Sequence, residues 1–168
     1  MGFLQNTSIV WCFLVRDGKQ YLNKNLNRIV GFSERTGMSW SIRFVENDSL
    51  DNSRSILQAY MLKYPQRIHG DMLRIAKLSS KGMCKQLHQK QNCNRRVEFL
   101  AQMREKLMVE ALRKQPQLVV MCDMDFRHFN DRALLDLFEL RARLDADGVF
   151  GVSVDRHQTI YDRGAIEP

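Results

Sequence analysis

Asp123 and Asp125 stand one residue apart at the end of the run Leu118-Val119-Val120-Met121-Cys122, and they are the residues through which this chain most plainly offers chemistry. A short Val-rich apolar run with Pro116 just ahead of it reads as a strand buried on both faces. Aspartates are rarely buried unless paired or bound to a metal. The pair is therefore expected where the strand leaves its sheet, at the carboxyl end, which is where ligands bind in open α/β sheets. In extended backbone, residues i and i+2 point to the same side, so Asp123 and Asp125 can converge on one hard cation. A Mg²⁺ or Mn²⁺ held this way usually also takes substrate phosphate oxygens. A bare Asp-x-Asp is more often a strand-end turn carrying two solvated carboxylates, so its surroundings decide.

Those surroundings hold two further polar clusters, each closing an apolar run. Arg16-Asp17 follows residues 9–15, and Glu46-Asn47-Asp48-Ser49 follows residues 40–45. In a parallel sheet all strand carboxyl ends share one side, so the three clusters are expected to line one crevice. Acceptors at Glu46, Asn47 and Asp48 suit ribose hydroxyls or a base N–H, and Arg16 suits a diphosphate directly. Ser49 or Asp48 also stands where it would cap the next helix. Arg104 adds an independent signal. On a helix expected from about Val97 to Arg113, the apolar face reads Val97, Leu100, Ala101, Leu107, Met108, Ala111 and Leu112, and the helical period puts Arg104 on it. Such an arginine either snorkels or forms half of an ion pair, or it crosses to the carboxylates and the phosphates they help to bind. Arg95 and Arg96 sit at the start of the same helix.

The elements that must position these residues alternate. Residues 9–15 form a continuous apolar run, a buried first strand, stopped by Arg16-Asp17-Gly18. Tyr21, Leu22, Leu26, Ile29, Val30 and Phe32 recur at helical spacing up to Gly37. Residues 40–45 form a second strand. Ile56, Leu57, Tyr60, Met61 and Tyr64 mark a helix closed by Pro65. A short third strand with a loop is expected within 67–78, then a basic loop over 81–96 that contains Lys81, Lys85, Lys90, Arg95 and Arg96. Beyond the Asp-x-Asp strand, Asn130 can cap a helix carrying Ala133, Leu134, Leu137, Phe138 and Leu144, ending near Gly148. Residues 149–154 are strand-like and 159–161 return after a turn. This alternation argues for one α/β domain over 1–168, with a mainly parallel sheet flanked by helices.

Composition narrows the class. At 168 residues the chain is long enough for a core that folds alone. A formal net charge of +7 points to an anionic partner: nucleotide, nucleic acid, or a membrane surface to which the protein would associate peripherally. Cys12, Cys84, Cys93 and Cys122 are too few for a disulfide framework, and Cys12 and Cys122 fall in expected strands as small hydrophobes. Cys84, His88 and Cys93 lack a second ligand pair for a zinc site. No run of about 18 apolar residues offers a transmembrane helix. Asn6 stands where N-myristoylation wants Ser or Thr, and residues 9–15 lack the flanks of a signal peptide. A reducing, cytoplasmic location is the resulting expectation.

With these residues in view, the chain resembles a known family. Phe13-Leu14-Val15-Arg16-Asp17-Gly18 with Tyr21-Leu22 and Asn25-Leu26, then Phe44-Val45-Glu46-Asn47-Asp48-Ser49-Leu50-Asp51-Asn52, is similar to the opening of nucleotide-sugar glycosyltransferases of the GT-A fold. The Glu-Asn-Asp-Ser-x-Asp form looks most like the capsule-associated mannosyltransferases of fungi and their viral and bacterial relatives. The likeness continues through Arg96 and Arg104, through Asp123-Met124-Asp125, and into Asp155-Arg156 and Tyr161-Asp162. Two departures are Glu105 after Arg104, where Asn is usual, and Gly164 near the end. The resemblance implies a GT-A-like domain that moves a sugar from a UDP- or GDP-sugar to a glycan or other acceptor with Mn²⁺ or Mg²⁺. It implies Asp125 as metal ligand, Asp123 as metal or ribose ligand, and Arg16, Glu46, Asn47, Asp48, Arg96 and Arg104 as the donor pocket. In that fold the acceptor half and often the catalytic base lie beyond the point corresponding to Tyr161-Asp162, so the resemblance implies a truncated or compact member and names no base.

Two rival classes compete. Asp-x-Asp behind an apolar strand also suits a haloacid-dehalogenase-type phosphatase, with Asp123 as nucleophile and Asp125 as acid/base. Such enzymes carry the motif on their first strand and follow it with x-Thr or x-Val, whereas Phe126-Arg127 follows here. A basic nucleic-acid-binding module would use Lys81 to Arg96 as its footprint. No aromatic interleaves with that run to give bases a stacking platform, so the reading favours no nucleic acid.

Overall fold

The computed structural model describes residues 4–73, 90–124, 126 and 130–146, with 90–97 described as backbone only. The chain divides into two compact units, Met1–Arg127 and His128–Pro168.

The first unit is an α/β layer structure. Its elements are β1 (Ser8–Val15), α1 (Lys19–Arg35), β2 (Ser39–Asn47), α2 (Ser53–Lys63), β3 (Ile68–Leu73), α3 (Lys90–Leu112) and β4 (Leu118–Asp123). The four strands form one sheet in the order β3-β2-β1-β4, with every pair parallel. The chain thus grows outward from β1 through β2 to β3, then returns through α3 to the other side of β1. That reversal is a Rossmann-like switch point, and it opens a crevice at the carboxyl ends of β1 and β4.

Side chains alternate across this sheet, and the alternation builds two cores. Trp11, Phe13, Ile42 and Phe44 are buried together with Leu22, Leu26 and Ile29 of α1 and Leu57 of α2. Phe13 stacks on Phe44 with centroids 6.0 Å apart, and the Trp11 indole N–H donates to Ser33 Oγ at 3.1 Å. On the other face, Val10, Cys12 and Val45 pack against Leu107 and Ala111 of α3, with Leu14, Met103, Val119 and Met121 at the margin. Each fully buried large apolar side chain contributes about 1.5–3 kcal/mol, so this sandwich fixes the sheet from both sides. The tightest approach is at Gly70, where an added Cβ would lie 2.4 Å from the Phe44 carbonyl oxygen and 2.5 Å from its ring.

The expected elements recur with shifted ends. β2 runs on to Asn47, so Glu46 and Asn47 are strand residues rather than loop residues. The largest difference is α3, which begins at Lys90 instead of Val97 and replaces part of the expected basic loop with helix. Lys, Gln and Arg are good helix formers, so a helix can begin there without apolar periodicity in the sequence. Residues 81–89 of that loop lie outside the described residues.

The second unit holds α4 (Asp131–Leu144). Asn130 caps it as expected, its Oδ1 accepting from the N–H groups of Arg132 and Ala133 at 3.0 and 3.2 Å. The helix ends at Asp145 in a left-handed conformation (φ 48°), earlier than Gly148. The strand-like segment 149–154 and the return at 159–161 lie outside the described residues. Among the described residues no helix is long and apolar enough to cross a membrane.

Candidate functional site

Register explains which strand-end residues meet. Val45 of β2, Leu14 of β1 and Asp123 of β4 are lateral partners in one row across the sheet. Paired residues share a face, so Asp123 belongs to the face covered by α3, and Asn47 joins it two residues after Val45. Under α3 at this rim lies a cavity of about 210 Å³ lined by Leu14, Val15, Arg16, Gly18, Val45, Asn47, Phe99, Leu100, Met103, Arg104, Asp123 and Met124. Its volume is below the roughly 300–1,000 Å³ of ordinary small-molecule sites, so it suits one part of an elongated ligand. Apolar walls with a few convergent polar groups are the usual make-up of such a site.

Of the residues picked from the sequence, Arg16, Asn47, Arg104 and Asp123 come together here. Arg104 Nη2 lies 3.3 Å from Asp123 Oδ1, the pairing entertained for it. The two side chains remain 46 % and 62 % exposed, which corrects the expectation that Arg104 sits within the apolar face of its helix. That face is Leu100, Met103, Leu107 and Ala111, while Ala101 and Leu112 are exposed. Arg104 stands at its edge. Among the described residues, Asn47 Oδ1 is buried without a hydrogen-bond partner. Buried acceptors are nearly always satisfied, so this atom is available to a ligand N–H or hydroxyl.

Glu46 points the other way, as alternation requires. Its side chain is fully buried; it accepts from the Ser49 N–H at 2.6 Å and pairs with Arg54. Asp48 adopts φ 49°, and its N–H donates to the Leu73 carbonyl at 3.4 Å. Arg16 Nε lies 3.9 Å from Asp17 Oδ2. The Arg96 side chain and Asp125 lie outside the described residues, as do the side chains of Cys84, His88 and Cys93.

The loop after β2 does something the sequence reading missed. Neither Ser49 nor Asp48 caps α2; Ser49 Oγ instead accepts from the Asp17 N–H at 3.0 Å, across to the loop after β1. Leu50 N–H returns the link to Asp17 Oδ1 at 2.8 Å. Ser53 Oγ accepts from Gly18 N–H at 2.9 Å, and Asp51 Oδ2 accepts from Lys19 N–H at 2.9 Å. Asp51 Oδ1 also accepts from Ser53 N–H at 2.9 Å. One carboxylate therefore caps α1 and α2 together, both with their positive dipole ends toward it. Burial raises the Asp51 pKa, but hydrogen bonds from the Ser53 hydroxyl and from the Lys19 and Ser53 N–H groups, with the Lys19 charge, outweigh it and leave it below the ordinary value.

The two strand thiols offer no competing nucleophile. Burial, with the Glu110 charge adding to it and Arg43 opposing, pushes Cys12 up to about 11. Burial, with the Asp123 and Cys12 charges, pushes Cys122 up to about 12. Both stay protonated at neutral pH, and a thiol is a poor nucleophile. Among the described residues no three His, Cys, Asp or Glu side chains gather as a metal cage. A cation bound through one or two carboxylates plus ligand phosphates needs no such cage.

Comparison with family models, with curated proteins and with solved structures yields no match.

Proposed function

We propose that the chain is a glycosyltransferase domain that holds the nucleotide of a UDP- or GDP-sugar in the cavity under α3, with Mn²⁺ or Mg²⁺ on the Asp-x-Asp stretch. The observation that carries this reading is the occupied N-terminus of α1. In dinucleotide-binding α/β folds the N–H groups at that helix start bind the pyrophosphate. Here Ser53 and the Asp51 carboxylate already take the Gly18 and Lys19 N–H groups. A diphosphate would meet a negative charge there, so it needs its countercharge elsewhere on the rim. Arg16, Arg104 and Asp123 line the neighbouring cavity, two cations and a carboxylate able to ligate a third. Such a set suits a metal-assisted diphosphate site, which is also what the resemblance in the sequence implies.

In this reading Arg16 and Arg104 donate charge-assisted hydrogen bonds to the diphosphate. Asn47 accepts from a ribose hydroxyl or a base N–H through its unpartnered Oδ1. Glu46 and Asp48 act through the loop that follows Asn47. Asp123 and Asp125 hold the cation, whose chemistry would be to neutralise charge on the departing diphosphate. The sugar acceptor is a glycan or another hydroxyl-bearing molecule.

Calorimetry with UDP, GDP and ADP, each with Mn²⁺ and with EDTA, tests the reading. One diphosphate is expected to bind with Mn²⁺ and to lose at least tenfold in affinity with EDTA. Equal affinity in both conditions removes the metal role, and failure of all three to bind overturns the nucleotide site.

A further inference from the structure

We infer that Asn25 is the positioning residue of the Asp-x-Asp turn, and that cation affinity at the rim depends on the two hydrogen bonds it donates. The inference rests on the proposed cation site. Asn25 lies on α1, in the core-facing row Leu22, Asn25, Leu26, Ile29, and is fully buried. Its Nδ2 donates to the Met124 carbonyl at 3.0 Å and to the Phe126 carbonyl at 2.9 Å. These are the carbonyls on either side of Asp125 in the chain. Both partners accept only, so the amide orientation is fixed by chemistry.

The arrangement is costly as packing alone. Asn is a weaker helix former than Leu, and among the described residues Asn25 Oδ1 is left buried without a hydrogen-bond partner, which is unfavourable in itself. What the position gains is a bridge over 99 and 101 residues of sequence, from α1 to the end of β4. Among the described residues β4 pairing ends at Asp123, just before the two carbonyls that Asn25 holds. Asn25 supplies the next two fixed points. A cation site of few protein ligands depends on their placement, because Mg²⁺ and similar ions demand near-ideal geometry.

The test titrates Mn²⁺ alone, following the free ion by electron paramagnetic resonance, against the wild type and four variants. Asn25→Leu removes both donors at similar size. Asn25→Ser retains one small donor. Asp125→Asn removes a cation ligand, and Ser33→Ala removes the acceptor of another buried hydrogen bond on the same helix, away from the rim. Asn25→Leu is expected to weaken Mn²⁺ at least tenfold, Asn25→Ser less, and Ser33→Ala not at all, whatever each does to the melting temperature. Wild-type Mn²⁺ affinity in Asn25→Leu, with Asp125→Asn defective, overturns the inference and leaves the cation site standing. Wild-type affinity in Asp125→Asn overturns the cation site itself. If circular dichroism shows Asn25→Leu unfolded, unchanged affinity in Asn25→Ser overturns the inference on the same terms.

Discussion

Arg104 shows how much a single exposure value alters an energetic argument. A buried arginine–carboxylate pair loses about 3–5 kcal/mol when one partner is removed. With 46 % and 62 % exposure, the Arg104–Asp123 contact at 3.3 Å is a surface pair instead, and such pairs contribute about 0–1 kcal/mol. Stability and function therefore separate at this residue. Arg104→Met is expected to change unfolding free energy by less than about 1 kcal/mol in urea titrations, while on the proposed reading nucleoside diphosphate affinity falls about tenfold, equivalent to about 1.4 kcal/mol. A large stability loss would mean the pair is desolvated; unchanged diphosphate affinity would leave Arg104 only a packing role. The sequence made Arg16, Asn47, Arg104 and Asp123 legible, because strand ends can be read from where apolar runs stop. It misled at Glu46, which period-two alternation separates from Asn47. Asn25 belongs to the Asn25-Leu26 pair that carries the resemblance, and its own signal in the sequence is an amide in a row of core-facing residues.

Elements were legible wherever burial imposes a period. β1, β2 and β4 are short apolar runs, and α1 and α2 carry clear apolar stripes. The apolar pattern places the start of α3 at Val97, seven residues after its start at Lys90, because residues 90–96 carry no apolar periodicity in the sequence. The sequence locates β3 only within 67–78, and its central Gly70 is one reason: the strand works through what it lacks. A Cβ there would meet the Phe44 carbonyl oxygen at 2.4 Å and ring carbons at 2.5 and 2.6 Å. Phe44 cannot retreat, since it stacks on Phe13 across β1 with planes only 12° apart. Overpacking of a core ordinarily costs about 1–3 kcal/mol, and two aromatic residues must move here. Gly70→Ala is expected to destabilise by about 3 kcal/mol in urea unfolding, with unchanged slope. A cost below about 1 kcal/mol would show that β3 can slide off Phe44.

At the scale of the whole first unit, one carboxylate joins the two halves of the rim. Asp51 receives the N–H of Lys19 at the start of α1 and the N–H of Ser53 at the start of α2. Around it Ser49, Leu50 and Asp17 lace the loops after β1 and β2 together. The rim that supports the cavity is therefore held by an ionised group, and its strength depends on pH. The folded-state pKa of Asp51 lies below its ordinary value. A carboxylate whose pKa is lowered on folding adds stability that is fully present above its unfolded pKa of about 3.9 and is lost as pH falls through the folded value. Asp51→Asn lacks that titration and is less stable than the wild type near neutrality. The stability difference between the two proteins is therefore expected to be constant from about pH 7 to 5 and to shrink below about pH 4. Urea unfolding at a series of pH values measures it. A difference that stays constant down to pH 2, or grows, would mean that Asp51 holds the helix ends as a neutral acceptor, and the rim would then owe its acid sensitivity to other carboxylates.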